Sequence, residues 1–311
     1  MTRDKIVITG GAGLVGQNLV IQLKEKGYRN IVVIDKAAGN ANALRELHPD
    51  VDVVVADLAE DDGWQSKLEN SYALVHAHAQ IGGLDAAIFF RNNVTASERV
   101  IEAARQYHVP YIVNVSSSAV TSKAVDDYTQ SKKAQEALVA ASGIAQIVLR
   151  PTLMFGWFDR KHLGWLARLM HRTPVFPIPG NGRFLRQPLY VGDFCKIILA
   201  AIEHRKIGTF NISGQERIHY VDLMRAVKES TGARTIFVHV PYQLFALMLR
   251  LYGWFSNNPT FTEKQLIALS TPDVFEVIDW PGLFGVTATP LNQALNATFR
   301  HPRYSRVVLQ F

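Results

Sequence analysis

The stretch VITGGAGLVGQNLVIQL, residues 7–23, is the feature that most constrains what this chain can fold into. An apolar, β-branched run enters four glycines and leaves as a helix-patterned segment. Gly10, Gly13 and Gly16 stand in a G-x-x-G-x-x-G spacing, with Gly11 as an extra. Glycine reaches positive φ for a tight turn and lets backbone approach a ligand closely. A helix starting at such a turn aims unpaired N–H groups and the positive end of its dipole at it, so a pyrophosphate fits there. An ordinary βα connection can also be glycine-rich. Context separates the two: a strand precedes, a helix follows, and Asp35 ends the next strand about 20 residues on, where a ribose-binding acid belongs. Its carboxylate accepts from adenosine ribose hydroxyls and repels a 2′-phosphate, which favours NAD over NADP; Lys36 beside it softens that preference. Asp57 and Leu58 close the third strand, where an adenine ring would lie, although Asp57 also suits a simple helix cap.

Beyond this turn, strand-like runs at 5–10, 30–35, 51–58, 72–79, 111–118 and 145–151 alternate with helical patterns at 16–27, 41–50, 92–109 and 128–143. Strands this apolar, alternating with helices, predict a parallel sheet covered on both faces. The expected fold is α/β, a Rossmann-type doubly wound parallel sheet with a smaller C-terminal α/β substrate-binding part. After Pro151 the rhythm breaks into aromatic, Gly, Pro and basic residues. Helical patterns return at 192–205 and 219–232, with short strands at 209–214 and 235–241. We therefore expect an NAD-binding domain over 1–160 and a mainly substrate-binding part over 161–311, packed on the first, with some segments returning to it.

Several partner classes are disfavoured. No apolar run reaches the roughly 18 residues of a membrane span. The nearest, 242–255, is too short and carries Arg250, yet Leu244, Phe245, Leu247, Met248, Leu251, Tyr252 and Phe255 exceed one helical stripe. Packing in the C-terminal part, an oligomer contact or a peripheral membrane contact would each use it. Cys195 is the single cysteine, so no intrachain disulfide forms and no metal site is expected. The first strand starts almost at Met1 with no signal-peptide pattern, which predicts a cytoplasmic protein. The net charge of +6 is scattered, with no block of five or more, so it suits anionic small molecules and gives no footprint for nucleic acid.

The segment YTQSK puts Tyr128 and Lys132 at i and i+4, on one helix face. A neighbouring ammonium and an oxidised nicotinamide both favour phenolate, so Tyr128 would serve as an acid/base near neutral pH. NVSSS at the end of the preceding strand offers a hydroxyl to a substrate oxygen; a loop or helix-capping role suits one or two of its three serines.

Taken in order and approximate spacing, TGGAGLVG, Asp35, ADL, VHAHAQIGG, NNVTASERVIEAA, VNVSSSAV, YTQSK and LRPTLMFG resemble the extended short-chain dehydrogenase/reductase family, in its NAD-dependent epimerase/dehydratase group, which includes UDP-galactose 4-epimerase. The resemblance is strong over 5–160 and looser to about 299. It implies Tyr128 as acid/base, Lys132 on the nicotinamide ribose, and Ser117 polarising the substrate oxygen with Ser118 as the close alternative. It implies Gly10, Gly13 and Gly16 on the pyrophosphate, Asp35 on the ribose, Asn93 supporting the sheet near the cofactor, and Pro151 against the nicotinamide. Leu14, Val15, Lys36, Asp57, Leu58, Ala77, Ala79 and Val115 fall at the cofactor by the same match. In the second half, NGRFLRQPLYVGDFCKIILAAIE resembles the family's basic stretch, with Arg186 where the family holds a nucleotide diphosphate and Arg183 and Arg168 near it.

The chain also departs from the family. HAHA replaces the usual HLAA, which puts His78 beside the cofactor as a substrate contact or a hydrogen-bonded structural residue. The segment from the serines to Tyr128 is shorter than in the sugar-nucleotide epimerases. VGD replaces VDD, leaving Asp193 alone, and Ser118-Ala119 lacks the dehydratases' acidic pair. The resemblance implies an NAD-dependent epimerase or ketone/alcohol oxidoreductase acting on a nucleotide-activated or lipid-linked sugar. It also implies a homodimer paired through 92–109 and 128–143. The alternative is a non-catalytic NAD-binding scaffold, which has no physical need for the Ser/Tyr/Lys set.

Overall fold

The computed structural model describes residues 5–83, 85–121, 126–255, 266 and 275–310. The first half folds as β1 (Ile6–Thr9), α1 (Leu14–Glu25), β2 (Ile31–Asp35), α2 (Ala38–Leu47), β3 (Asp52–Val55) and β4 (Ala73–His76). It continues with α3 (Ala86–Phe89), a π-helical turn (Phe90–Thr95), α4 (Ala96–Gln106), β5 (Ile112–Val115), α5 (Asp127–Ala140) and β6 (Gln146–Pro151). Next come β7 (Met154–Phe155), α6 (Leu163–Arg172), β8 (Val175–Pro179), β9 (Leu185–Arg186), β10 (Leu189–Tyr190), α7 (Val191–His204) and β11 (Gly208–Ile212). The chain ends with β12 (Ile218–His219), α8 (Tyr220–Thr231), β13 (Ile236–Val240), α9 (Tyr242–Phe255), α10 (Trp280–Phe284) and α11 (Leu291–Arg300).

Among the described residues, seven strands form one sheet in the order β11-β6-β5-β4-β1-β2-β3, every neighbouring pair parallel. This is the Rossmann-type α/β sheet the apolar strands predict. Alternate strand residues feed two cores. Ile6, Ile8, Val33, Val75 and Val113 pack with α1 and α7 on one face. Val7, Val32, Ile34, Leu74 and Ile112 pack with α4 and α5 on the other. Chain order reverses between β1 and β4, so a crevice opens there at the carboxyl ends of the strands.

Two expectations are refined. Residues 209–214 are assigned to the second part by sequence, but β11 pairs with β6 at the edge of the main sheet, and α7 packs on α1. The chain therefore returns to the first layer after 160. The expected helix at 92–109 starts earlier, at Ala86, and loosens into a π turn where Asn92 and Asn93 turn inward. What remains of the second part has its own core, built by α6, β8, α8 and α11 around Met170, Phe176, Ile178 and Met224.

Candidate active site

The glycine turn sits at the crevice, and three of its glycines have physical reasons. Gly10 has φ +67°, and a Cβ there would lie 2.5 Å from the His78 Cα. A Cβ on Gly16 would overlap the Gly11 backbone, so α1 approaches the turn only without one. Gly13 is the N-cap of α1, with no side chain capping it and no acid in the first turn, which leaves the helix N-terminus open to an anion. Leu14 and Val15 follow it, half-exposed. Asp35 fixes the turn from the end of β2: Ala12 N–H donates to its Oδ2 at 3.0 Å and Ala37 N–H to its Oδ1 at 2.9 Å. Burial pushes the Asp35 carboxyl above its ordinary range, against those two bonds. Each oxygen keeps a second lone pair for a ribose hydroxyl. These residues fit a dinucleotide: two cradle positions where a side chain is forbidden, an open helix end, and a carboxylate at the end of β2 beside the turn.

Next to Asp35, the charges of Lys36, Asp57, Glu60 and Arg91 cluster. Arg91 donates to Asp57 at 2.9 Å and pairs with Glu60 at 2.6 Å, and Lys36 donates to Asn92 Oδ1 at 2.7 Å. Burial raises the Asp57 carboxyl, but the Ala59 amide and Arg91 outweigh it and leave it below its ordinary range. The Asp57 Oδ1 accepts from Ala59 N–H, so its turn-capping role coexists with its place beside Leu58. Arg91 and Asn92 went unmarked in the sequence; only the structure brings the π turn to β3.

The catalytic candidates converge at the ends of β5 and α5. Ser116 and Ser118 are buried, while Ser117 is half-exposed and close enough to the Tyr128 side chain to act on its pKa. Of the two serine alternatives, the structure brings Ser117 to the phenol. Burial raises the Tyr128 pKa above 10, the Ser117 hydroxyl lowers it, and Asp126 raises it again. Lys132, expected to lower the phenol, turns its Nζ to Val115 O and Gln135 Oε1, and burial dominates the shift. The ring of Phe89 stands edge-on to Tyr128, centroids 6.5 Å apart.

Lys132 is fully buried and donates to Val115 O at 2.9 Å and to Gln135 Oε1. Burial lowers its pKa to about 7, with Glu136 opposing. Glu136 itself holds Arg150 through a bidentate pair, Nε–Oε1 2.9 Å and Nη2–Oε2 2.6 Å. Gln135 is a residue that sequence reasoning missed; its spacing of three from Lys132 was the available signal. Pro151 is buried at the end of β6, and Ala77 and Ala79 stay open after β4.

His78 turns away from the crevice, and Asn93 braces the segment beside it. His78 points inward between the two alanines. Its Nδ1 lies 2.9 Å from Thr9 Oγ1 and its Nε2 3.3 Å from Ser97 Oγ, so both ring nitrogens are used and it makes no substrate contact. Asn93 is fully buried, accepts from Gln80 N–H at 2.6 Å, and donates to Ser131 Oγ at 2.9 Å and to Gln80 O. It clamps the loop after β4 to α5, the supporting role expected of it, with both amide hydrogens used. Arg183 stands exposed before β9, Arg186 is half-buried beside Tyr220, and Arg168 donates to Asp159 O and Arg160 O near the start of α6.

The segments after β4 and β6 expose both charged and apolar side chains, Asp85 and Lys161 among the former. Ile81, Ile88, Phe90 and Leu153 are each more than 40% exposed on the segments that follow β4 and β6 or flank Phe89.

Comparisons with known proteins agree with the fold. A family model described as the NAD dependent epimerase/dehydratase family matches residues 6–213. The chain is 26% identical to a ceramide reductase of Caulobacter vibrioides, over 77% of this chain and 74% of that one. It is 26% identical to a dTDP-glucose 4,6-dehydratase of Streptomyces niveus, over 83% and 90%. Among solved structures, UDP-glucose 4-epimerase of Thermotoga maritima, determined with UDP-glucose, superposes with a TM-score of 0.76 at 19% identity, covering 97% of this chain and 99% of that one.

Proposed function

We propose, from the premise that this chain belongs to the NAD-dependent epimerase/dehydratase family, that it interconverts a secondary alcohol and its ketone at Tyr128. The enzyme is NAD-dependent, and bound NAD supplies the hydride acceptor or, when reduced, the hydride donor. The nearness of the half-exposed Ser117 hydroxyl to the Tyr128 phenol supports the reading. One substrate oxygen could meet both groups. In oxidation, Tyr128 as phenolate takes the hydroxyl proton while the carbinol hydrogen leaves as hydride; Ser117 donates to the forming carbonyl oxygen. In reduction, the phenol returns that proton to the oxygen. Lys132, four residues after Tyr128 on α5, is the candidate ribose contact. Asp35 and the Gly10–Gly16 turn are the candidate dinucleotide contacts.

The substrate we favour carries its carbinol or ketone on a lipid, a lipid-linked sugar included. Ile81, Ile88, Phe90 and Leu153, exposed on the segments that follow β4 and β6, offer apolar contacts to a lipid chain, and one curated relative is named for a ceramide. The second reading, a nucleotide-activated sugar, draws on the dTDP-glucose dehydratase and on Arg183 and Arg186. Purified enzyme assayed for NAD reduction or NADH oxidation separates them. The panel is UDP- and dTDP-sugars against long-chain 3-ketones and polyprenyl-linked sugars in detergent. Tyr128→Phe should lower turnover on the true substrate by about 10²–10⁴-fold with dinucleotide affinity kept. Full activity in that variant removes the proposal.

A further inference from the structure

The second part of the chain carries an apolar surface on two elements. In the parallel pair β8–β13, Ile236 stands opposite Val175 and Val238 opposite Pro177. Phe176, Ile178 and Phe237 fill the inner face, while Val175, Ile236 and Val238 are 46%, 65% and 43% exposed. An exposed sheet face ordinarily alternates to polar residues. After Pro241, α9 begins and exposes Leu244, Leu247, Met248 and Leu251, spaced i, i+3, i+4 and i+7 and 43–52% exposed. The side chains of Tyr252 and Phe255, part of the same sequence pattern, lie outside the described residues. Two adjacent elements with uncovered apolar rows mark an interaction surface.

Charge selects the occupant. The segments that build this region, 160–192 and 230–255, contain seven arginines, one lysine and no Asp or Glu before Asp193 and after Glu229. The parallel register of β8 and β13 brings the two acid-free segments together. Arg172, three residues before Val175, and Arg234, two residues before Ile236, are exposed beside the apolar residues. Among the described residues no helix is long and apolar enough to cross a membrane. An apolar stripe on an acid-free segment with exposed arginines close by is the pattern of a helix that lies in a membrane interface.

We propose that β13, α9 and the adjoining edge of β8 dock this protein on an anionic phospholipid surface, with the α9 stripe in the headgroup–acyl boundary and Arg172 and Arg234 over the headgroups. This inference is read without turnover, so it stands or falls apart from the catalytic assignment.

The test is co-sedimentation of the purified full chain with vesicles of phosphatidylcholine, with and without phosphatidylglycerol. Wild type should pellet with the anionic vesicles and weaken with salt. Leu247→Glu with Met248→Glu should bind at least about tenfold more weakly, with melting temperature and NAD affinity unchanged. Arg172→Glu with Arg234→Glu should remove the preference for phosphatidylglycerol. Wild type that stays in the supernatant with anionic vesicles overturns the proposal. So does a wild-type dimer that the Leu247/Met248 pair of substitutions splits while vesicle binding is unaltered, because the stripe then faces a second copy of the chain.

Discussion

Replacing Lys132 with Met tests the physics of the site more directly than an activity assay. The ammonium is fully buried and its pKa falls from 10.5 to about 7. Between those two pH values the unfolded chain keeps the proton on this lysine and the folded chain releases it. The unfolded state then binds more protons, so stability rises with pH across that window. Below about pH 7 both states are protonated and the slope from this group vanishes. At 1.4 kcal/mol per pH unit, the burial costs about 4 kcal/mol at pH 7 and about 2 kcal/mol at pH 9. Lys132→Met keeps the length of the side chain and removes the titration. It also leaves Val115 O and Gln135 Oε1 without their donor, a pH-independent loss of about 1–3 kcal/mol. The absolute difference between the two proteins at pH 7 is thus a small balance of opposed terms. The pH slope is clean, because every other titrating group is common to both. Urea unfolding followed by tryptophan fluorescence, with Trp64 and Trp280 buried as reporters, should show wild type gaining about 2 kcal/mol on the variant from pH 7 to pH 9. Parallel stability curves for the two proteins would refute the argument that the lysine is held in a site that penalises its charge.

Gly10→Ala should lower the melting temperature and weaken NAD binding more than about tenfold, since φ +67° and the His78 backbone both exclude a side chain there; calorimetric titration checks it. Asp35→Ala should shrink the preference for NAD over NADP by about tenfold and cost about 1–2 kcal/mol of stability from the lost acceptors of Ala12 and Ala37; the ratio of the two dissociation constants decides. His78→Leu should destabilise by about 1–3 kcal/mol with KM unchanged per folded molecule. A large KM change would put the ring back at the substrate.

Local signals carried the first half of the fold. The strand–turn–helix at Gly10, the acid at the end of β2 and the Tyr128/Lys132 spacing each lie within one or two elements, where side-chain period and glycine chemistry are decisive. Contacts that join distant segments were not legible. Nothing in TFNISG says that it pairs with β6 rather than with its own half. The inward turn of Asn92 and Asn93 depends on a π turn whose register the heptad-like pattern of 92–109 conceals. The HAHA segment shows why orientation decides a role. Alternation after β4 leaves Ala77 and Ala79 at the crevice and His76 and His78 in the interior, and only the partners across the sheet tell which parity wins.

Those interior partners also determine one another. An ammonium only donates, so Gln135 must turn its Oε1 to Lys132. Its Nε2 then donates to Ser97 Oγ at 2.9 Å. Ser97 spends its own proton on Asn93 O at 2.5 Å, so His78 Nε2 must be a donor to the Ser97 oxygen. That fixes the Nε2–H tautomer and leaves Nδ1 to accept from the Thr9 hydroxyl. A protonated His78 would confront Thr9 with a second donor, and burial together with His76 and Lys132 pushes its pKa well below the ordinary value, against that form. With Lys132 protonated, the chain Lys132–Gln135–Ser97–His78–Thr9 therefore has one direction of donation throughout. It ties the buried lysine of α5 to the last residue of β1, directly before the glycine turn. Whatever displaces Lys132 is felt at the turn, and the histidine that departs from the family's small residue is the link that makes this so.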